Sequence, residues 1–141
     1  MPYIRIWIHL IFATKNREKT ISKDLKPKLL SHIKENSKKK EIYIDFMNCI
    51  EDHIHILISL GNTQSISKVA QLIKGESSHW VNEYNLIDRK FEWQDDYIAI
   101  SVSESGVNRV REYIKNQEEH HRKKSSKEEY DELMEKYGFQ F

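Results

Sequence analysis

The sequence predicts an α+β fold, a four-stranded antiparallel sheet with helices packed on one face. Three observations predict it. Four stretches alternate apolar and polar residues at period two, and two longer stretches between them repeat apolar residues at helical spacing. Their order is strand–helix–strand–strand–helix–strand, and further helical segments follow. That order is the split βαβ, ferredoxin-like (RRM-like) arrangement, here extended by C-terminal helices. At 141 residues the chain suits a single domain over 1–141, with no internal repeat, low-complexity tract or linker.

The first strand is expected over 3–13, with Ile4, Ile6, Ile8 and Leu10 on one face and Arg5, Trp7, His9 and Ile11 on the other. A polar loop, 14–19, leads to a helix over 22–38 with Leu25, Leu29 and Ile33 on its apolar stripe. Pro27 falls early in it, where a helix tolerates proline, and Lys38-Lys39-Lys40 closes it. Ile42, Ile44 and Phe46 alternate with Tyr43, Asp45 and Met47 in a second strand. Glu51-Asp52 turns it into a third, so the two form a hairpin.

A long helix is expected over 65–84, weakened or bent at Gly75. A linker, 85–96, precedes the fourth strand at 97–103. Ser105 suits the cap of a helix over 106–121, and a last helix over 127–137 stops at Gly138.

Composition narrows the function classes. Net charge is +1 and charged residues make up 32%, so this is not a globally basic nucleic-acid coat. The charge is uneven, however: residues 15–41 hold ten Lys/Arg against four Asp/Glu, and Arg122-Lys123-Lys124 forms a second basic knot. Such patches hold phosphates without a high overall pI, although solvated helix faces carry the same signature. One cysteine, Cys49, allows no internal disulfide and suits a reducing cytoplasm. No apolar run reaches the length of a membrane span, and the N-terminus has no signal-peptide layout, so a cytoplasmic protein is expected.

The third strand carries the chemistry. Ile54, Ile56, Ile58 and Leu60 share one face, which puts His53 and His55 together on the other, roughly 6.5–7 Å apart at Cα. Two imidazoles pointing the same way from a rigid strand can share a metal ion; the plainer alternative is two solvated histidines. On the third helix, Tyr113 and Gln117 lie one turn apart beside the stripe Val107, Val110, Ile114. A glutamine in an apolar stripe needs a hydrogen-bond partner or a ligand. Two histidines and a Gln carbonyl would leave open positions for a phosphate on a divalent ion, with Tyr113 placed to attack it. A neutral tyrosine, with its pKa near 10, needs that activation.

Ordered along the chain, these segments resemble the single-tyrosine HUH transposases, the insertion-sequence-200-like group that includes the REP-associated tyrosine transposases. Asp52-His53-Ile54-His55-Ile56-Leu57 and Tyr113-Ile114-Lys115-Asn116-Gln117 carry the resemblance. The runs 9–17, 74–78, 93–97, 101–105 and 117–121 support it. It implies that Tyr113 cuts and rejoins single-stranded DNA, often hairpin-bearing, through a 5′-phosphotyrosine with release of a 3′-hydroxyl. It implies Mg²⁺ or Mn²⁺ held by His53, His55 and Gln117, and a homodimer in which the tyrosine acts in cis or in trans, with Gly106 as a hinge or a simple turn residue. A bacterial or archaeal protein near the nucleoid follows.

Thr14, Lys15 and Arg17 beyond the first strand, and Trp93 in the linker, are the expected DNA contacts, Trp93 by stacking on a base. His120 and His121 are adjacent on a helix and should point apart, so that at most one reaches the site. The alternative is a non-catalytic ferredoxin-like nucleic-acid-binding module. A histidine-triad hydrolase would want histidine at position 57, which is Leu57, and a structural zinc domain would want more cysteines.

Overall fold

A computed structural model describes residues 2–139. In chain order it contains β1 (Ile6–Ala13), α1 (Leu25–Lys39), β2 (Tyr43–Ile50), β3 (His53–Leu60), α2 (Ile66–Glu83), β4 (Ile98–Val102), α3 (Val107–Lys115), α4 (Gln117–His121) and α5 (Ser126–Tyr137). The strands form one antiparallel sheet in the order β2-β3-β1-β4, as the split βαβ pattern requires.

Period-two alternation divides β1 and β3 between two cores. Leu10 and Phe12 of β1 and Ile54, Ile56 and Ile58 of β3 pack with Leu25, Leu29 and Ile33 of α1 and Val69, Ala70 and Ile73 of α2. Each of the Leu, Ile, Val and Phe side chains among them contributes about 1.5–3 kcal/mol by leaving water. On the opposite face, Trp7 and Leu57 pack with Val107 and Ile114 of α3. Helices thus lie on both faces of the sheet: α1 and α2 on one, the C-terminal helices on the other. The polar side of β3 is consequently buried rather than solvated, and His53 and His55 with it.

Three local differences from expectation have physical causes. β1 begins at Ile6, because Tyr3 and Ile4 are exposed and have no core to alternate against. α2 runs unbroken through Gly75, whose position faces open space. The expected helix over 106–121 breaks at Asn116, which sits at φ −93°, ψ 23°, and restarts as α4. Asn48 reaches across from β2 and donates to the Ile114 carbonyl at 3.0 Å, occupying an acceptor that a continuous helix would use itself. On the edge strand β2, a register shift at Asp45 lets that carboxylate accept from Nε and Nη2 of Arg111, each at 2.7 Å, which fixes α3 over the sheet.

Candidate active site

His53 and His55 project from β3 beneath α3, α4 and α5. They are 3% and 0% exposed, so neither is a solvated histidine. Their ring centroids are 5.0 Å apart. Glu129, from the first turns of α5, completes the group: its Oε1 lies 3.2 Å from His53 Nε2 and 3.1 Å from His55 Nε2. One ligand atom from each of the three residues lies within 4.8 Å of the others.

α5 is placed to deliver that carboxylate. Ser125 and Glu128 form a reciprocal capping box at its start, and Gly138, at φ 53°, ends it in the left-handed region. Ser126 donates to Asp52 Oδ2 at 2.8 Å, which ties the first turn of α5 to the β2–β3 turn.

The supporting groups set which histidine nitrogen faces the centre. Asp52 Oδ1 lies 2.9 Å from His53 Nδ1, so Nδ1–H donates and Nε2 is left facing inward. Buried His53 Nε2 has no hydrogen bond of acceptable geometry, despite its closeness to Glu129. On the other side, His9 Nε2 lies 2.9 Å from His55 Nδ1. The antiparallel register pairs His9 with Leu57 and Ile11 with His55, so His9 and His55 meet on a diagonal.

Tyr113 of α3 closes the site from above. Its ring centroid is 5.6 Å from that of His55 in the same chain, and its hydroxyl donates to Glu129 Oε2. Glu129 therefore bridges the histidine pair through one oxygen and the tyrosine through the other. Gln117 is fully buried at the edge of this group; its Oε1 accepts from His121 Nε2 at 3.1 Å and its amide donates to the Tyr113 carbonyl.

Both histidines of the 120–121 pair reach Glu129, contrary to the expectation that at most one would. His121 Nε2 is 3.5 Å from Oε1 and His120 Nε2 is 4.0 Å from Oε2. The reason is that α5 presents both oxygens of one carboxylate to the facing turn of α4, so neighbouring residues meet different oxygens.

Burial and charge push the two histidines apart. Burial lowers the His53 pKa, but the Asp52 and Glu129 carboxylates outweigh it and raise it to about 9. For His55 burial prevails over Glu129, lowering it to about 4, and burial with His55 alongside lowers His9 to about 3. Burial pushes Glu129 upward, yet the imidazoles of His121, His53 and His55 around it hold it well below the usual carboxylate range. Burial, then the ionised Glu129, raise the Tyr113 hydroxyl above its ordinary value.

This donor set fits a divalent cation. Two imidazole nitrogens and a carboxylate converge, one of those nitrogens lacks a partner, and Asp52 and His9 orient the rings from behind. Two measurements follow. His53 must shed its proton to ligate, so Mn²⁺ affinity should rise as pH rises towards about 9 and level above it, by up to about tenfold per pH unit, in titrations followed by electron paramagnetic resonance. His9→Phe, which leaves His55 Nδ1 unsupported, should weaken Mn²⁺ about 10–100-fold by calorimetry.

The other expected contacts are placed as follows. Thr14 is 1% exposed, and its hydroxyl donates to the carbonyls of Glu18 and Asp52. Lys15 is exposed and lies 3.4 Å from Glu92, while the Arg17 guanidinium stacks over Tyr130 of α5 at 4.9 Å. Trp93 is buried; it packs edge-on against Phe12 and Phe91 and donates its indole N–H to Ser77 Oγ at 2.9 Å. A bridge between Thr14 and Trp93 pins the linker to the end of β1, which draws that ring inward. Sequence reasoning missed Glu129 and Ser126, and gave His9 no role. The signal for His9 was its place at period two with Trp7 and Ile11; for Glu129, the Ser125–Glu128 capping pair that fixes where α5 starts.

Comparison with known proteins adds the family. The family described as "Transposase IS200 like" matches residues 3–117. The transposase for insertion sequence element IS200 of Salmonella typhimurium is 26% identical over 115 residues, covering 77% of this chain and 74% of the relative. The ISDra2 transposase TnpA of Deinococcus radiodurans is 24% identical over 114 residues, covering 77% and 81%. Among solved structures, a protein of Deinococcus radiodurans assigned as a transposase superposes with TM-score 0.66 at 20% identity, over 83% of this chain and 95% of that one. A REP-associated tyrosine transposase bound to a REP hairpin gives 0.63 at 16% identity, over 86% and 72%. The match over residues 3–117 spans the sheet, the His53 strand and the Tyr113 helix, and the chain belongs to the IS200-like transposase family.

Proposed function

We propose that this protein cuts and rejoins single-stranded DNA, with Tyr113 as nucleophile and with His53, His55 and Glu129 holding Mg²⁺ or Mn²⁺. The observation that carries the reading is the double role of Glu129, whose two oxygens join the histidine pair to the tyrosine hydroxyl. A divalent ion here would polarise a phosphoryl oxygen. With neutral imidazoles and one carboxylate the loaded site keeps one positive charge, which matches the single negative charge of a phosphodiester.

The chain's own groups supply the rest. Tyr113 Oη forms a bond to phosphorus as the bond to the 3′-oxygen breaks. Glu129 Oε2, the hydroxyl's acceptor, orients it for attack; as the bond forms the phenolic proton passes to solvent, and the departing 3′-oxygen takes a proton from solvent. Attack by a 3′-hydroxyl on the phosphotyrosine reverses the step: its oxygen bonds to phosphorus and its proton goes to solvent, while the bond to Tyr113 Oη breaks and the tyrosine takes a proton from solvent. Asp52 and His9 hold the imidazole rings, and Gln117 holds His121 against the carboxylate.

The DNA is proposed to carry a hairpin, as does the DNA bound by the REP-associated relative. Lys15 and Arg17 remain proposed backbone contacts. Thr14 would act by shaping their loop, and a stacking role for Trp93 would require its ring to leave the core. A homodimer belongs to the reading; because Tyr113 already faces its own chain's histidines, dimerisation would exchange this helix rather than supply a missing group.

The test is covalent capture. Incubation with a library of hairpin-bearing single-stranded DNA and Mn²⁺ or Mg²⁺ should give a denaturation-resistant protein–DNA adduct that chelator prevents and that His53→Ala cannot form. A wild-type protein that binds this DNA and never forms an adduct would be a binding module.

A further inference from the structure

A groove of about 700 Å³ runs along the surface between the start of α1 and the turn that joins α4 to α5. Lys19, Lys23 and Lys26 line one side, and Arg122, Lys123 and Lys124 the other. Glu51, Asp52 and Glu118 are the carboxylates in its lining, which leaves an excess of three positive charges. Its inner end is formed by Asp52, His121 and Ser126, the groups that brace His53 and Glu129.

Two features say that the groove is built for an anion. At the positive end of α1, Lys23 and Lys26 flank one carboxylate, the N-cap Asp24, which makes no capping hydrogen bond, and the first turn itself carries no acid, although acids are favoured there. Cations placed against a helix dipole cost stability unless an anion offsets them. Four of the six are partly occupied: Lys26 by Glu118 at 2.9 Å, Arg122 by Glu119 at 3.2 Å, Lys19 by Glu51 at 3.8 Å and Lys124 by Glu132 at 2.6 Å. These pairs are at the surface, and phosphates can displace such carboxylates at little cost. Lys23 and Lys123, one from each wall, have no carboxylate within ion-pair distance among the described residues.

We infer that this groove carries the phosphate backbone of the single strand that flanks the cut, leading it to the Tyr113 site. The inference rests on the proposed DNA-cutting role of that site. The volume is that of a small-ligand cleft, enough for a short stretch of single strand and far short of a duplex. Ile21 and Ile50 are its apolar members, no Phe, Tyr or Trp lines it, and its one ring, the His121 imidazole, is 9% exposed and turned to Glu129, so it offers no base-stacking platform. Its contribution to binding is therefore electrostatic and independent of base sequence. Residues 122–126 lie beyond the 3–117 stretch that matches the family, so one wall of the groove lies outside that matched stretch.

The test uses fluorescence anisotropy of the full-length protein with a labelled oligothymidine about twenty nucleotides long, titrated between about 50 and 200 mM salt. Lys23→Ala with Lys123→Ala should weaken binding several-fold and flatten the slope of log affinity against log salt by about 1.4, at about 0.7 per lost phosphate contact. Charge-matched Lys38→Ala with Lys39→Ala, at the far end of α1, should leave both unchanged. Mn²⁺ affinity and the thermal midpoint of each variant report whether the site and fold are intact. Unaltered affinity and slope in the Lys23/Lys123 variant, or an equal loss in the Lys38/Lys39 variant, overturns the groove. Wild-type protein that shows the predicted slopes but forms no covalent adduct supports the groove and defeats the nucleophile assignment instead.

Discussion

Tyr113→Phe should abolish covalent DNA capture while leaving DNA affinity and Mn²⁺ affinity within about twofold of wild type. The substitution removes one oxygen and keeps the ring, which contacts His55 and His120 edge-on. Packing of α3 rests on Val107 and Ile114, so the helix should stay docked. The lost hydroxyl is the donor to Glu129 Oε2, and that carboxylate retains three histidines around its other edge. No other hydroxyl touches Glu129 among the described residues, so no substitute nucleophile is in place. Adduct formation at wild-type level in Tyr113→Phe would remove the tyrosine from the mechanism. A large fall in Mn²⁺ affinity would instead show that the hydroxyl helps hold the metal site together.

Much of this site was legible in β3 because strand alternation is a local property. Once Ile54, Ile56 and Ile58 face a core, His53 and His55 must share the other side, whatever the rest of the chain does. Tyr113 and Gln117 were legible for the same reason at helical spacing, and Gln117 still donates to the Tyr113 carbonyl although the helix breaks between them. What escaped were groups whose position depends on register or on a turn. His9 meets His55 only because β1 and β3 pair with Ile11 opposite His55, and register is a tertiary fact. Glu129 reaches the centre only because residues 122–125 turn α5 back across α4, and nothing in the capping pair says which face then points inward. Trp93 shows the converse: an aromatic residue in a polar linker resembles a stacking platform until a bridge to Thr14 shows that the linker is part of the core.

Glu129→Ala should cost the site more metal affinity than Gln117→Ala, and the contrast decides which of the two is the third ligand. The carboxylate lies within about one hydrogen-bond length of both inward histidine nitrogens, whereas the Gln117 carbonyl oxygen is engaged by His121. Losing Glu129 removes a charged donor, so Mn²⁺ affinity should fall by more than the roughly 100-fold that an outer partner can cost. Losing Gln117 frees His121 and should cost about 10-fold, the lower end of that range. The metal-free protein should respond too. Without Glu129, a protonated His53 keeps only Asp52 as a counter-charge, and breaking such a buried network costs about 3–5 kcal/mol. His53 should then release its proton at lower pH, because one of the two carboxylates that raise it is gone while burial still lowers it. A histidine titration by nuclear magnetic resonance reads that shift directly. Should Gln117→Ala prove the more damaging to metal binding, Gln117 is the ligand, and Glu129 is a carboxylate that stands in the metal's place and must move aside when the ion binds.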